Sequence, residues 1–560
     1  MKPKYLINMI IVVAGFYISN KLSFQIRSGI ESRWPPEMIL DHALDDFTNL
    51  GQISFQQTDI LIGLATAFII ALVILAQTFG KKPRRDGEEH GSASWASRRD
   101  IKPYRDPNPV NNILFTKTEA LSLDSRRTQR NLNVLVDGGS GSGKSRYFVF
   151  PNLCQANTSY AVTDPKGELY RQAGKYLQTK GYKVRCLNLV DFSQSERFNP
   201  LKYFSDHQPE VDATVLVENI ISNTNGTNTK SSGDFWEKAE RALLNALVSY
   251  VFFTKGHTGT LIDVVDLLAQ MQASENDETK KSDVDLTFDA VNDLIDEYDT
   301  DPYKNEWGQE AVEAVNGLRF AASQYNTYTQ GAGETKKSVI ISLGVRMAPL
   351  HMASMRTLLS EDTIELDRIG QEKTALFMII PDTHAAFNFL ISIFYEQLFE
   401  TNIYIADHTP NGHLPVHVQC LMDEFANIGQ IPSFERKIAV MRSRGISTAI
   451  IIQNMAQGKA LYKDSWETIV GNCDSFLFLG GTEKSTTEYV SKMLGKQTIA
   501  SLDHSQSKGR SGSWSESERT LGRELLTPDE IGRLPAKECI YILRGIRPFK
   551  SRKLDAPNFG

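Results

Sequence analysis

The chain has 560 residues, 41% of them hydrophobic and 23% charged, with a formal net charge of −6. That length is too great for one hydrophobic core and implies two to four folded units, in a composition typical of an ordinary folded protein with an apolar addition. Its five cysteines (Cys154, Cys186, Cys420, Cys473, Cys539) are scattered, with no CxxC and no His at metal spacing, which excludes a disulfide framework and a zinc site and fits a reducing cytosol for most of the chain.

The apolar addition comes first. Tyr5 to Ser19 and Ile60 to Gln77 are uncharged stretches separated by a polar loop. The second reaches the lower part of the roughly 17–25 residues needed to cross a bilayer as a helix. The first is shorter and contains Asn8, so a cleaved signal or a re-entrant segment stays open, although a small-residue cleavage site is lacking. Lys2 and Lys4 precede the pair and Lys81, Lys82, Arg84 and Arg85 follow it. This basic flanking predicts two spans with both ends in the cytoplasm, against the alternative of a buried helical hairpin in a soluble protein.

Residues 81–110 read as a basic, polar linker. Eight apolar runs then read as buried strands: Leu132 to Val136, Ser159 to Asp164, Val184 to Val190, Thr374 to Asp382, Val416 to Glu424, Thr448 to Asn454, Asp474 to Gly480 and Cys539 to Gly545. Helical periodicity lies between several of them, as in Ala385 to Ile405, which predicts an α/β sheet of many parallel strands. Ligands in such sheets sit beyond the carboxyl ends of the strands, where Asp164, Asp423 and Gln453 fall.

Residues 205–333 change character. Helical spacing runs through Asp234 to Leu244 and Leu261 to Met271 without β-rich runs, predicting an all-helical insertion. This stretch holds 23 acidic and 8 basic residues, net −15, leaving 53 basic and 44 acidic residues, net +9, elsewhere. Such acidity fits a solvated helical surface or a display surface for basic partners. Ser222 to Gly233 and Ser505 to Ser517 are too polar to offset the entropy of ordering and read as mobile.

The chemistry concentrates at Gly138-Gly139-Ser140-Gly141-Ser142-Gly143-Lys144-Ser145, which fits G-x-x-x-x-G-K-[ST] directly after a strand. Glycines there let backbone N–H groups curl around phosphates, the lysine reaches the β/γ-phosphates, and the hydroxyl ligates Mg²⁺. Asp423 and Glu424 close an apolar strand far downstream, one acid for the metal side and one to polarise the attacking water. Gln453, at the end of the next strand, is placed to sense the γ-phosphate or to cap the strand. Arg442, with Arg444 in reserve, is a candidate to reach a neighbouring subunit's nucleotide, or simply a solvated cation. Asp164-Pro165-Lys166-Gly167 reads as a rigid turn or as part of the pocket or a subunit contact.

These motifs, in order with His90-Gly91-Ser92-Ala93, Asp164-Pro165-Lys166-Gly167-Glu168-Leu169, Phe198-Asn199-Pro200-Leu201, Asp234-Phe235-Trp236, Leu421-Met422-Asp423-Glu424-Phe425 and Arg523 to Glu530, resemble the type IV secretion coupling proteins of bacterial conjugation. The likeness runs over residues 90 to 555. It implies a RecA-like P-loop NTPase domain carrying an inserted all-α domain behind a two-helix transmembrane anchor. The expected division is anchor 1–80, linker 81–110, nucleotide-binding domain 111–204 and 334–560, and insertion 205–333. The resemblance also implies a homohexamer in the cell membrane, with most of the chain cytoplasmic. That ring would use ATP and Mg²⁺ to deliver relaxase-bound single-stranded DNA to the secretion channel components. Lys144, Ser145, Asp423, Glu424, Gln453 and Arg442 match the family's functional positions one by one. A chromosome-segregation type DNA pump, or a nucleotide-gated docking receptor for relaxase or effector proteins, are the competing expectations.

Overall fold

The structure is a computed structural model that describes residues 3–45, 51, 53–79, 87–224, 234–272, 281–331, 333–381, 385–506 and 514–555. Lys2 and the basic flank Lys81, Lys82, Arg84 and Arg85 lie outside the described residues, as do 225–233 and 507–513, the centres of the two polar segments. Two compact units are present, one comprising 1–92 with 498–522 and the other 93–497 with 523–560.

In the first unit, α1 (Pro3–Glu31), α2 (Pro36–Asp45) and α3 (Gln57–Phe79) follow one another. Ile7–Glu31 and Gln57–Ala76 are long and apolar enough to cross a membrane, and both leave most of their surface outward. The first helix is much longer than the apolar run Tyr5 to Ser19, because its polar continuation is satisfied internally. Asp59, fully buried, accepts hydrogen bonds from Ser23 and Ser54, each at 2.6 Å, and from Arg27 Nη2 at 3.0 Å. Asn20 and Ser54 exchange bonds at 3.1 and 3.0 Å. Gly63 lies against the Phe16 ring, where an added Cβ would come within 2.9 Å. Small residues of this kind let apolar helices pair closely.

In the second unit, β1 (Asn112–Leu114) and β2 (Ala120–Ser122) make a small antiparallel ladder. The main sheet holds β3 (Val134–Asp137), β4 (Ser159–Asp164), β5 (Lys183–Asn188), β6 (Thr374–Ile379), β7 (Val418–Met422), β8 (Ile446–Ile452) and β9 (Ser475–Phe478). The two-stranded sheet of β10 (Lys496–Gln506) and β11 (Trp514–Glu524) belongs almost wholly to the first unit, and the main sheet is completed by β12 (Glu538–Leu543) and β13 (Phe549–Arg552). Its order is β13-β12-β9-β3-β8-β7-β4-β6-β5. All neighbours from β9 to β5 are parallel, whereas β12 runs antiparallel to both β9 and β13.

All eight apolar runs thus become strands of one sheet. Their unbroken hydrophobicity follows from helices covering both faces: Leu135 points into one core while Val134 and Val136 point into the other. The run Cys539 to Gly545 enters antiparallel, which makes the sheet mixed at that end. The polar stretch Ser505 to Ser517 has strand residues at each end, in β10 and β11.

Between β5 and β6 the described residues form no strand. Helices α4 (Pro209–Thr224), α5 (Asp234–Lys255), α6 (Leu261–Gln270), α7 (Asp283–Thr300), α8 (Gln309–Thr329) and α9 (Gly333–Arg346) succeed one another, so helix continues past residue 333. Gly317 on α8 lies directly against the Phe253 ring on α5, which is where a Cβ would stand. Val284, Phe288, Val291 and Ile295 recur at helical spacing on the buried side of α7, and Phe288 stacks on Tyr325 with ring centroids 3.9 Å apart. Asp283, Asp293, Asp296, Glu297 and Asp299 occupy the solvent side. The helices share one buried apolar cluster with the sheet, from Leu243, Leu247 and Phe288 through to Leu135 and Ile450.

Below the sheet, α10 (Asn388–Asp407) meets α11 (Phe434–Met441). There Lys437 is buried between Glu396, at 3.3 Å, and Glu400. Burial pushes the Glu396 carboxyl up to about 7, with Lys437 pulling the other way.

Candidate nucleotide-binding site

Three adjacent parallel strands end at one sheet edge. β8 lies between β3 and β7, with Asp137 opposite Ile452 and Met422 opposite Ile450. The residues that follow each strand therefore converge, although Lys144 and Asp423 are 279 positions apart in sequence.

The loop after β3 is pinned to its neighbours: Gly138 N–H donates to Ile452 O at 3.2 Å and Gly139 N–H to Gly480 O at 2.9 Å. Gly141 and Gly143 have φ of +75° and +83°, a region that residues with a Cβ rarely adopt. At Gly143 the Tyr147 ring also fills the place of a Cβ. Ser145–Val149 follows as a π-helical turn leading into the helix Phe150–Gln155. Lys144 is buried and its Nζ donates to Gly138 O at 2.8 Å, holding the ammonium folded over the loop.

Across the edge, Ser145 Oγ donates to Asp423 Oδ2. Asp423 is buried, and desolvation pushes its carboxyl up to about 6 while Ser145 and Lys144 oppose the shift. A half-buried hydroxyl in contact with a buried carboxylate matches part of the donor set of a hard divalent cation whose remaining ligands are water and phosphate. Glu424 adopts a left-handed backbone conformation, φ +54°. Gln453 Nε2 donates to both of its carboxylate oxygens, at 3.1 and 3.0 Å. The Gln453 backbone N–H is itself held by Gln457 Oε1 at 3.0 Å. Lys144, Ser145, Asp423, Glu424 and Gln453 are thus brought together.

Arg442 is not among them. It sits exposed in the turn Arg442–Arg444 before β8 begins, at the sheet edge opposite Gln453, and a seven-residue strand is roughly 23 Å long. Arg444 is engaged by Asp407, with Nε and Nη2 each 2.8 Å from a carboxylate oxygen. Asp164 has a local job: it accepts the Tyr170 N–H at 2.8 Å in the first turn of the helix Glu168–Thr179, whose N-cap is Gly167, and Lys166 and Glu168 are exposed.

Two further groups at this edge carry no local motif. Asp137, fully buried, accepts from Thr486 Oγ1 at 3.4 Å, while its Oδ1 has no hydrogen-bond partner among the described residues. Burial pushes this carboxyl up to about 7, against Thr486 and Lys144. Lys553, at the far end of the chain, donates from Nζ to Ser142 O at 2.9 Å. Nothing in the sequence around either residue signals these contacts, which arise from strand order.

The family model "Type IV secretory system Conjugative DNA transfer" matches residues 94–555. The conjugal transfer protein TraG of Rhizobium radiobacter is 22% identical over 424 residues, 74% of this chain, which spans 60% of TraG's length. Protein VirD4 of Agrobacterium fabrum is 22% identical over 510 residues, covering 88% of this chain and 69% of VirD4. The unbound structure of the bacterial conjugative coupling protein TrwBΔN70 superposes with a TM-score of 0.56 at 15% identity, over 86% of this chain and 96% of TrwB. A TrwB structure in complex with ADP and Mg²⁺ matches equally, with a TM-score of 0.56 at 14% identity. The chain belongs to the type IV secretory system conjugative DNA-transfer family.

Proposed function

We propose that this protein is a membrane-anchored coupling ATPase of a conjugative type IV secretion system. It takes relaxase-bound single-stranded DNA and drives it toward the secretion channel by ATP hydrolysis. The observation that carries the reading is the meeting of Lys144, Ser145, Asp423, Glu424 and Gln453 at one sheet edge.

In this reading the 138–144 loop and Lys144 bind the triphosphate. Ser145 and Asp423 hold Mg²⁺, which when bound neutralises charge on the phosphates. Glu424 accepts a proton from the attacking water, and Gln453 orients the Glu424 carboxylate. Arg442 lies too far from its own subunit's loop and serves the nucleotide of the next protomer in a hexameric ring, where a guanidinium stabilises transition-state charge. Lys/Arg contacts to phosphates hold the threaded strand without sequence preference. The two apolar helices cross the membrane with both chain ends on the cytoplasmic side. The helical insertion spans the stretch from about residue 205 to β6, and its acidic solvent face receives basic partner proteins.

The test is DNA-stimulated ATP hydrolysis by the full chain together with DNA transfer in cells. Lys144→Ala abolishes hydrolysis, and Glu424→Gln binds ATP without hydrolysing it and blocks transfer. Wild-type hydrolysis by Lys144→Ala would remove the site assignment. Normal transfer by Glu424→Gln would replace the pump with a nucleotide-gated docking receptor.

A further inference from the structure

The strand order brings the end of the chain to the glycine-rich loop. Because β13 is antiparallel to β12 and β12 is antiparallel to β9, β13 points the same way as β3. Both strands therefore finish at the edge where Asp423 and Gln453 gather. Lys553 comes immediately after β13, and its backbone N–H is fixed by Lys537 O at 2.9 Å.

The side chain turns over the loop. Its Nζ donates to Ser142 O at 2.9 Å and stands 5.4 Å from the centroid of the Tyr147 ring. Lys553 is only 6% exposed, and no carboxylate pairs with it among the described residues. The ionisable neighbour at hand is the buried Cys539 thiol, and burial holds the lysine below its ordinary pKa. A lysine is almost never this buried without a counter-ion. One carbonyl and one ring face use part of its capacity and leave N–H donors unspent. An ammonium short of negative charge, seated on a phosphate-binding loop, is built to meet an anion.

The position within the loop narrows which anion. Lys144 and the Ser145–Asp423 contact mark the side that handles the β/γ-phosphates. Lys553 instead lies over Ser142 and Tyr147, at the loop whose backbone N–H groups cradle the α- and β-phosphates. We propose that Lys553 is a second phosphate-binding lysine, contacting the non-transferred α/β-phosphates of the bound nucleotide. This rests on the nucleotide reading given above and adds to it a residue from the opposite end of the chain. A contact to phosphates present before and after hydrolysis is uniform binding, so it lowers KM without raising kcat.

The experiment uses the full chain with Lys553→Met, Lys553→Arg and Lys144→Ala. It measures ADP and ATP affinity by displacement of a fluorescent ADP analogue, steady-state KM and kcat, and the melting temperature without nucleotide. Lys553→Met weakens ADP and ATP alike, by roughly 10- to 100-fold for a lost charge-assisted hydrogen bond. KM rises in step, kcat stays within about twofold, and Lys553→Arg recovers most of the affinity. Wild-type ADP affinity in a Lys553→Met protein that melts normally overturns the proposal, as does a loss of kcat at unchanged KM. Should Lys553→Met melt early, Lys553→Arg decides: normal melting without recovered ADP affinity means the lysine only ties down the chain end. Lys144→Ala separates the two readings. If it also hydrolyses ATP normally, the nucleotide site itself is wrong; if it is dead while Lys553→Met binds normally, only the role of Lys553 falls.

Discussion

The contact between Gln453 and Glu424 makes a sharp prediction about turnover. Glu424 is a non-glycine residue with φ of +54°, and its side chain is aimed by one amide nitrogen lying 3.1 and 3.0 Å from its two oxygens. A hydrogen bond to a charged group contributes about 1.5–3 kcal/mol. Both residues are half-buried, so the lower part of that range applies, about 1.5–2 kcal/mol, or roughly 10- to 30-fold in rate. Gln453→Ala is therefore expected to lower kcat by that factor with little change in KM. Gln453→Glu, which sets two carboxylates against each other, should lower it further. The decisive assay is a double-mutant cycle in single-turnover hydrolysis. In a Glu424→Ala background the second substitution should lower the residual rate by less than about twofold, because no carboxylate is left for the amide to hold. Full additivity, with Gln453→Ala costing as much in both backgrounds, would refute the claim that the amide acts through Glu424.

Three other outcomes follow from particular contacts. Lys437→Met leaves Glu396 buried without its cation and should lower unfolding stability by about 3–5 kcal/mol, with Lys437→Met/Glu396→Gln recovering part of it; equal denaturant midpoints for wild type and Lys437→Met would contradict this. Arg442→Ala mixed with Lys144→Ala should regain hydrolysis that neither variant shows alone, since each supplies what the other lacks at a shared seam; no gain at any mixing ratio rules out the arginine acting across an interface. Asp137, facing Thr486, Lys144 and Glu483, holds its proton up to about 7 when folded but only to 3.8 when unfolded. Its contribution is therefore fully present below pH 4 and lost as pH rises through 7, by at most about 4 kcal/mol. Asp137→Asn should flatten that part of the melting-temperature profile between pH 5 and 8, and an unchanged profile would show that the carboxyl titrates normally.

The parallel part of the sheet was legible because a strand covered on both faces must be apolar along its whole length, as in Ile446–Ile452. Phe549–Arg552 escaped notice for the complementary reason. As an edge strand it buries only Phe549 fully, so Lys550, Ser551 and Arg552 break any apolar run that would mark it. Asn20 and Lys21 ended the predicted span at Ser19, and a sequence read locally does not show that Asp59 waits opposite Arg27, the next charge along the helix. At the site, residues held by their own motif were readable: glycines that must take positive φ, and acids at the end of an apolar strand. Asp137 and Lys553 were not, because what matters about them is a neighbour several hundred positions away, Thr486 for one and Ser142 for the other.

The central position of β3 has a consequence for how the protein is made. Its ladder partners place Val134 beside Ala449 and Ser475, which leave the ribosome 315 and 341 residues later, roughly 15 to 70 s at ordinary translation speeds. Throughout that interval an apolar strand stands with both edges bare, and contacts spanning such distances form slowly. A copy that stops before residue 478 lacks part of β9 and the Gly480 carbonyl that holds the Gly139 N–H, so its glycine-rich loop is left without one of its two anchors.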